Sequence, residues 1–220
     1  MKKTLILLSI LSANVFATNV QDFVNDKNCN QIVDKTIFKV CYDYQLKGAK
    51  YVAYTVDGEM ANAGEHIKKR PSFYVENDIP VKYRSYPEDY THSGYDRGHL
   101  ANHADFDYSA NILYQTYSMA NIIPQNPDVN RDTWIKAEKY ERSIAQSLGS
   151  VSVINGVDYS NNPERIGKHK IAVPTSFWKI IYNDNKNFKR CFKYENIAVA
   201  DVKSDKLKDH EVNCTTLINN

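Results

Sequence analysis

The sequence predicts an α+β fold, a central and mainly antiparallel sheet flanked by helices, and three observations carry that expectation. The first is period-two patterning near the start: Phe38, Val40, Tyr42 and Tyr44 fall on every second position, as in a strand with one buried face. Residues 50–56 continue as a second strand that ends at the Asp57-Gly58 turn. The second observation is a set of later apolar runs at 151–157, 171–182 and 197–202, which read as further strands, with loops at Asn161-Asn162-Pro163 and over 183–187. The third lies between the two strand groups. Over residues 130–148, Trp134, Ala137, Tyr140, Ile144 and Leu148 recur at helical spacing while Lys136, Lys139 and Arg142 face away, so one amphipathic helix is expected to pack on the sheet. Tyr83, Tyr86, Tyr90 and Tyr95 could offer a base-stacking surface, but tyrosines in a small domain more often pack their rings and hydrogen-bond their hydroxyls.

The ends of the chain bear on where it works. Lys2 and Lys3 precede an apolar run from Leu5 to Leu11 that closes on Val15-Phe16-Ala17, the pattern of a secretory signal peptide cleaved after Ala17. A membrane span needs about 20 apolar residues, and this run is shorter and broken by Ser9, Ser12 and Asn14. Residues 1–17 are thus read as a leader and 18–220 as one domain, with no membrane association after cleavage and a periplasmic or secreted location. The 28 Lys+Arg and 26 Asp+Glu become 26 and 26 once Lys2 and Lys3 are set aside. A near-neutral chain lacks a broad basic face, so any polyanion must meet a local patch such as Lys68-Lys69-Arg70 near Lys82 and Arg84. Four cysteines in an exported chain, none in a C-x-x-C pair, favour disulfides over zinc. Of the three pairings, Cys29 with Cys41 and Cys191 with Cys214 close the short loops at each end.

The chemistry is concentrated in two stretches. Asp96-Arg97-Gly98-His99-Leu100-Ala101 is followed by Asn121-Ile122-Ile123-Pro124-Gln125 and then by Asn130, Trp134 and Glu138. In order, spacing and identity this set closely resembles the DNA/RNA non-specific endonuclease family of ββα-metal nucleases, over roughly residues 51–148. The resemblance implies a ββα-metal core at about 90–148, two strands carrying the histidine and a crossing helix carrying the metal ligand. It implies hydrolysis of phosphodiester bonds in DNA and RNA, with 5′-phosphate products and one Mg2+, for which Mn2+ can substitute. Contact would be made through the phosphate backbone. No H-E-x-x-H, Walker loop or G-x-S-x-G motif offers another hydrolase chemistry. A catalytically inactive nucleic-acid-binding protein of the same fold is the alternative. Neither an inhibitor partner nor an oligomeric state can be read from the sequence.

Each residue has a role under the resemblance and a physical reason for it. His99 maps to the general base, suited by an ordinary pKa of about 6.5. Asn130 maps to the direct Mg2+ ligand, its carbonyl oxygen matching a hard cation that keeps most of its waters; a helix cap is its other reading. Glu138 lies eight positions on, about 12 Å along a helix, and maps to a glutamate acting through metal-bound water, against plain surface charge. Asn121 would steady the surroundings of His99. Arg97 and Arg70 are the candidate phosphate contacts, with Lys68, Lys69 or Arg84 as proxies for Arg70. Asp96 is expected to orient its neighbour Arg97 or to bond the local backbone. Gly98 would allow a turn or the approach of substrate. His66, His92, His169 and His210 read as surface residues and His103 as an uncertain neighbour of the site. Where many family members have proline after DRGHLA, Asn102-His103 stands here.

Overall fold

The computed structural model describes residues 19–25, 27–62 and 67–218; the expected leader at 1–17 and His66 lie outside them. In chain order the strands are β1 (Gln31–Asp34), β2 (Phe38–Asp43), β3 (Gly48–Asp57), β4 (Asp96–His99), β5 (Ile122–Gln125), β6 (Ser150–Asp158), β7 (Arg165–Ile166), β8 (Ile171–Ala172), β9 (Ser176–Asn183) and β10 (Phe188–Glu195). The principal helices are α1 (Ala110–Thr116) and α2 (Trp134–Leu148). Six strands form one antiparallel sheet in the order β1-β2-β3-β6-β9-β10, while β4 pairs with β5 and β7 with β8 in small separate ribbons.

Alternation along the central strands builds two cores. From β3, Val52, Tyr54 and Val56 enter the larger cluster beneath α2, whereas Tyr51 and Ala53 enter a smaller one on the opposite face. Trp134 opens α2 fully buried, its ring 5.3 Å from Tyr194 and 6.1 Å from Phe177, and Ala137 and Ala145 follow on the same stripe. Truncating such an aromatic anchor removes about 3–5 kcal/mol. Gly58 makes the close approach possible: a Cβ there would sit 2.2 Å from the Ala145 carbonyl oxygen.

Three sequence expectations change. The run over 171–182 is two strands, because Pro174 offers no N–H and breaks the ladder between β8 and β9. Residues 197–202 form no strand; the edge strand is β10, whose Phe192 and Tyr194 face the large core between charged neighbours. The 197–202 segment instead braces the loop before α2, since Val199 N–H donates to Asp128 and Asn196 bonds Asn126, Pro124 and Pro174. Finally, α2 does not begin at 130. A π-helical turn, Val129–Thr133, precedes it, and no side chain caps the junction, so Asn130 does not serve as a cap. Both disulfides, Cys29–Cys41 and Cys191–Cys214, are present as expected.

Candidate active site

The ribbon β4–β5 fixes His99, which pairs with Ile122 across it. Asn121 secures the chain just beyond: its Oδ1 accepts from Ala101 N–H at 2.8 Å, and its amide donates to the Ala101 and Thr116 carbonyls at 2.9 Å each. Asn121 is fully buried, so it holds the strand end without touching the cavity. Gly98 admits neither a turn nor substrate; a Cβ there would lie 2.2 Å from Gln125 Oε1, so glycine makes room for the neighbouring strand's side chain. The His99 ring packs against Tyr117 (4.8 Å between centres), His103 (5.0 Å) and Phe73 (5.5 Å). Its Nε2 is shut from solvent and without a hydrogen-bond partner. Burial, then the nearby His103 and Arg70, push its pKa well below the usual histidine range, which keeps the imidazole neutral at neutral pH.

Asn130 meets the strand from the π-helical turn, a geometry often found where a helix is distorted for function. Its Nδ2 donates to Asp96 Oδ2 at 3.0 Å. A carboxylate takes only a donor, so the amide orientation is fixed and the Asn130 carbonyl oxygen is left for another partner. Asp96 also receives Arg131 in a two-pronged ion pair at 2.6 and 2.7 Å. Burial opposes ionisation there, but the bonds from Arg131 and Asn130 prevail and hold the carboxyl below its usual range. The expectation that Asp96 orients Arg97 is therefore corrected: its charge is spent on Asn130 and Arg131, across the ribbon from Arg97. Arg97 donates instead to the Pro87 carbonyl and lies over the Phe73 and Tyr90 rings at 5.3 and 6.0 Å.

One cavity of about 400 Å³ gathers Arg70, Phe73, Arg97, His99, Asn102, His103, Tyr117, Asn130 and Glu138. Glu138, the surface charge of the bland reading, is 9% exposed, and burial pushes its pKa up to about 7. A neutral amide oxygen beside a carboxylate that burial makes costly to ionise is a donor set of hard oxygens that fits a hydrated Mg2+. Among the described residues no group of three or more His, Cys, Asp or Glu could hold a metal ion. Arg70 lines the cavity, whereas Arg84 is tied to the Ile79 and Asn77 carbonyls and Lys68 and Lys69 lie elsewhere.

Tyr117 and Phe73 join the site without having been selected from the sequence, and His103 and Asn102, noted there only as uncertain neighbours of the base, line the cavity too. For His103 the signal was its neighbour Asn102, which stands directly after DRGHLA where proline is common; Asn102 accepts from Ala104 N–H and turns the chain so that His103 faces back. His169 and His210, expected on the surface, are half-buried partners of Asp89 (2.9 Å) and Asp205 (2.5 Å). The four tyrosines pack as anticipated: Tyr90 donates to the Ile122 carbonyl, Tyr83 stacks on Tyr44, Tyr86 stacks on His169, and Tyr95 donates to Glu164. Behind Glu138 lies a buried charge network. Lys179 of β9 pairs with Glu141, both fully buried, and Arg142 reaches the buried Asp105 at 3.0 Å. Arg142 thus faces inward, because Asp105 under α2 must be paired.

A family model for DNA/RNA non-specific endonucleases matches residues 17–219. Mitochondrial endonuclease G of Homo sapiens is 30% identical over 161 residues, covering 69% of this chain and 54% of its own. The mitochondrial nuclease of Saccharomyces cerevisiae is 34% identical over 158 residues (66% and 48%), and a nuclease of Nostoc sp. is 30% identical over 153 residues (69% and 54%). The chain spans about half the length of these curated relatives. A chain from the crystal structure of the EndoG/EndoGI complex shares the fold at a TM-score of 0.79, with 21% identity, 90% of this chain covered and 86% of that one.

Proposed function

The chain belongs to the DNA/RNA non-specific endonuclease family, and from that premise we propose that it is an exported, Mg2+-dependent endonuclease that cuts DNA and RNA and leaves 5′-phosphate ends. The observation that carries the reading is the single cavity in which His99, Asn130, Glu138, Arg97 and Arg70 converge. His99, neutral and lining the cavity, takes a proton from the attacking water at Nδ1, the nitrogen not sealed in the interior. Arg97 and Arg70 hold the phosphate, whose negative oxygens suit a guanidinium that stays charged at every working pH. Asn130 would hold Mg2+ directly and Glu138 through water, and the bound ion supplies positive charge to the phosphoryl oxygens and the departing 3′ oxygen. Asp96 acts one step back, keeping the Asn130 carbonyl turned away from itself. Nothing in this machinery reads a base, which accounts for indifference to sequence.

Residues 18–220 are proposed as one nuclease domain behind a cleaved leader. The two disulfides support an oxidising compartment, periplasmic or extracellular; the mitochondrial relatives lend export no support. The test is plasmid nicking by the purified mature chain with Mg2+, with Mn2+ and with chelator. Metal-dependent conversion to nicked and linear DNA is expected. DNA binding without any cutting would favour the inactive binder instead.

A further inference from the structure

We propose that His103 is a positioning residue for His99, accepting a hydrogen bond at Nδ1 from the Nε2–H of His99 and thereby fixing the tautomer that leaves His99 Nδ1 free as the base. The inference rests on the reading of His99 as that base. It starts from an unbalanced count. His99 Nε2 is sealed from solvent and bonds nothing, whereas Nδ1 of the same ring, which lines the cavity, is not among the buried partnerless atoms. A neutral imidazole carries one proton, and the nitrogen without it is the basic one. For Nδ1 to take a proton from water, Nε2 must already hold one, and a buried N–H without an acceptor is costly.

The acceptor has to come from the groups around it. Asn121 is committed to Ala101 and Thr116. Asn102 has spent its Oδ1 on Ala104 N–H, and its remaining Nδ2 can only donate. Gln125 Oε1 is unpaired but lies against Gly98, on the face of β4 opposite to the His99 side chain. Among the described residues, His103 Nδ1 is the one buried, unpaired side-chain acceptor whose ring touches His99. Two imidazoles joined by an N–H···N bond of about 3 Å have ring centres about 5 Å apart. The observed separation is 5.0 Å, with the planes at 73°, which is the spacing such a bond requires. Arg70 is the charged neighbour common to both rings, and Asp107 and Arg142 act on His103; the positive charge of Arg70 favours the neutral pair. The dyad thus does here what a carboxylate does for a histidine base elsewhere, without adding a negative charge beside the phosphate.

The experiment is long-range ¹H–¹⁵N spectroscopy of the histidine side chains in the metal-free mature protein near neutral pH, with turnover measured alongside. The expected wild-type result is His99 protonated at Nε2 and not at Nδ1. His103→Ala should move His99 to a mixture of tautomers and lower turnover roughly 10- to 100-fold, as loss of a partner that orients a reacting ligand does. His103→Asn, whose side-chain oxygen can stand where Nδ1 stood, should restore both. A wild-type His99 protonated at Nδ1, or a His103→Ala protein with an unchanged His99 tautomer, overturns the proposal, and the wild-type spectrum decides even if the alanine variant fails to fold. Should the wild type show the predicted tautomer yet cut no DNA, the pairing stands and the nuclease reading falls.

Discussion

The two faces of the six-stranded sheet are held by different means. On the face covered by α2, the large core surrounds charges: Lys179, Glu141 and Asp105 are buried between β9 and α2, and the cavity opens at the helix start. On the other face, Trp178 and Ile180 of the same β9 pack with Val20, Val24 and Leu217, and that cluster includes both disulfides. One strand therefore sends Lys179 to the buried charge network behind Glu138 and Trp178 to a covalently stapled core. Function concentrates where polar groups are forced inward, and the stapled side contributes the stability that such an arrangement uses up.

The comparison can be broken by substitution, beginning with the largest effect. His99→Ala should lower turnover about 10²- to 10⁴-fold, since it removes the proposed general base, with the melting temperature nearly unchanged. Cleavage at the wild-type rate would remove His99 from the mechanism. Next, Glu141→Ala strands Lys179 in the core and should destabilise the fold by about 3–5 kcal/mol. The double change Lys179→Met with Glu141→Leu should recover much of that in denaturant titrations; if it does not, the pair contributes more than mutual compensation. On the opposite face, Cys191→Ser with Cys214→Ser should cost about 2–5 kcal/mol and leave cleavage below the melting temperature untouched. A matching loss of activity would show that the two faces are not separable.

Much of the site was legible because it is local. Asp96 to His99 form one strand, Asn130 sits in the turn just before α2 and Glu138 within that helix, so the family resemblance carried by these two short stretches was enough to name them. Partners across the fold were not legible. Asp96 seemed to belong to Arg97, yet a β-strand turns successive side chains to opposite faces, and Arg131, 35 residues away, takes the carboxylate. Arg142 had the spacing of a solvated face, and only the placement of Asp105 beneath α2 draws it in. The edge strand β10 was passed over because Lys189, Arg190 and Lys193 mask its Phe192 and Tyr194 alternation, the charge pattern that protects an exposed sheet edge.

The proposed metal ligand offers a finer test. Asn130→Asp sets a second carboxylate 3.0 Å from Asp96 where an amide now donates, so the metal-free protein should lose stability through like-charge repulsion. Added Mg2+ should relieve it, giving tighter calorimetric binding than the wild type. Turnover should not rise, because the added charge offsets part of the cation's pull on phosphate. Glu138→Gln should do less than Asn130→Ala in Mg2+ titrations of cleavage rate. If Asn130→Ala keeps both the wild-type rate and the Mg2+ midpoint, Asn130 holds no metal.

The smallest expected effect separates the faces by pH. Burial first, and then the charge of Arg70, push the His103 pKa down to about 4, against an unfolded value of about 6.5. Between those values the unfolded chain binds the proton and the folded one does not, so acid favours unfolding. The contribution of His103 is therefore whole above pH 6.5 and is lost progressively as pH falls toward 4. His99, shifted in the same direction, adds to it. His103→Asn should flatten the stability profile over that window, whereas Cys191→Ser with Cys214→Ser should lower the whole profile without changing its slope, since disulfide sulfurs do not titrate. Urea titrations at pH 7 and pH 5 measure both, and an equal loss between the two pH values in wild type and His103→Asn would mean that His103 is already protonated in the folded site.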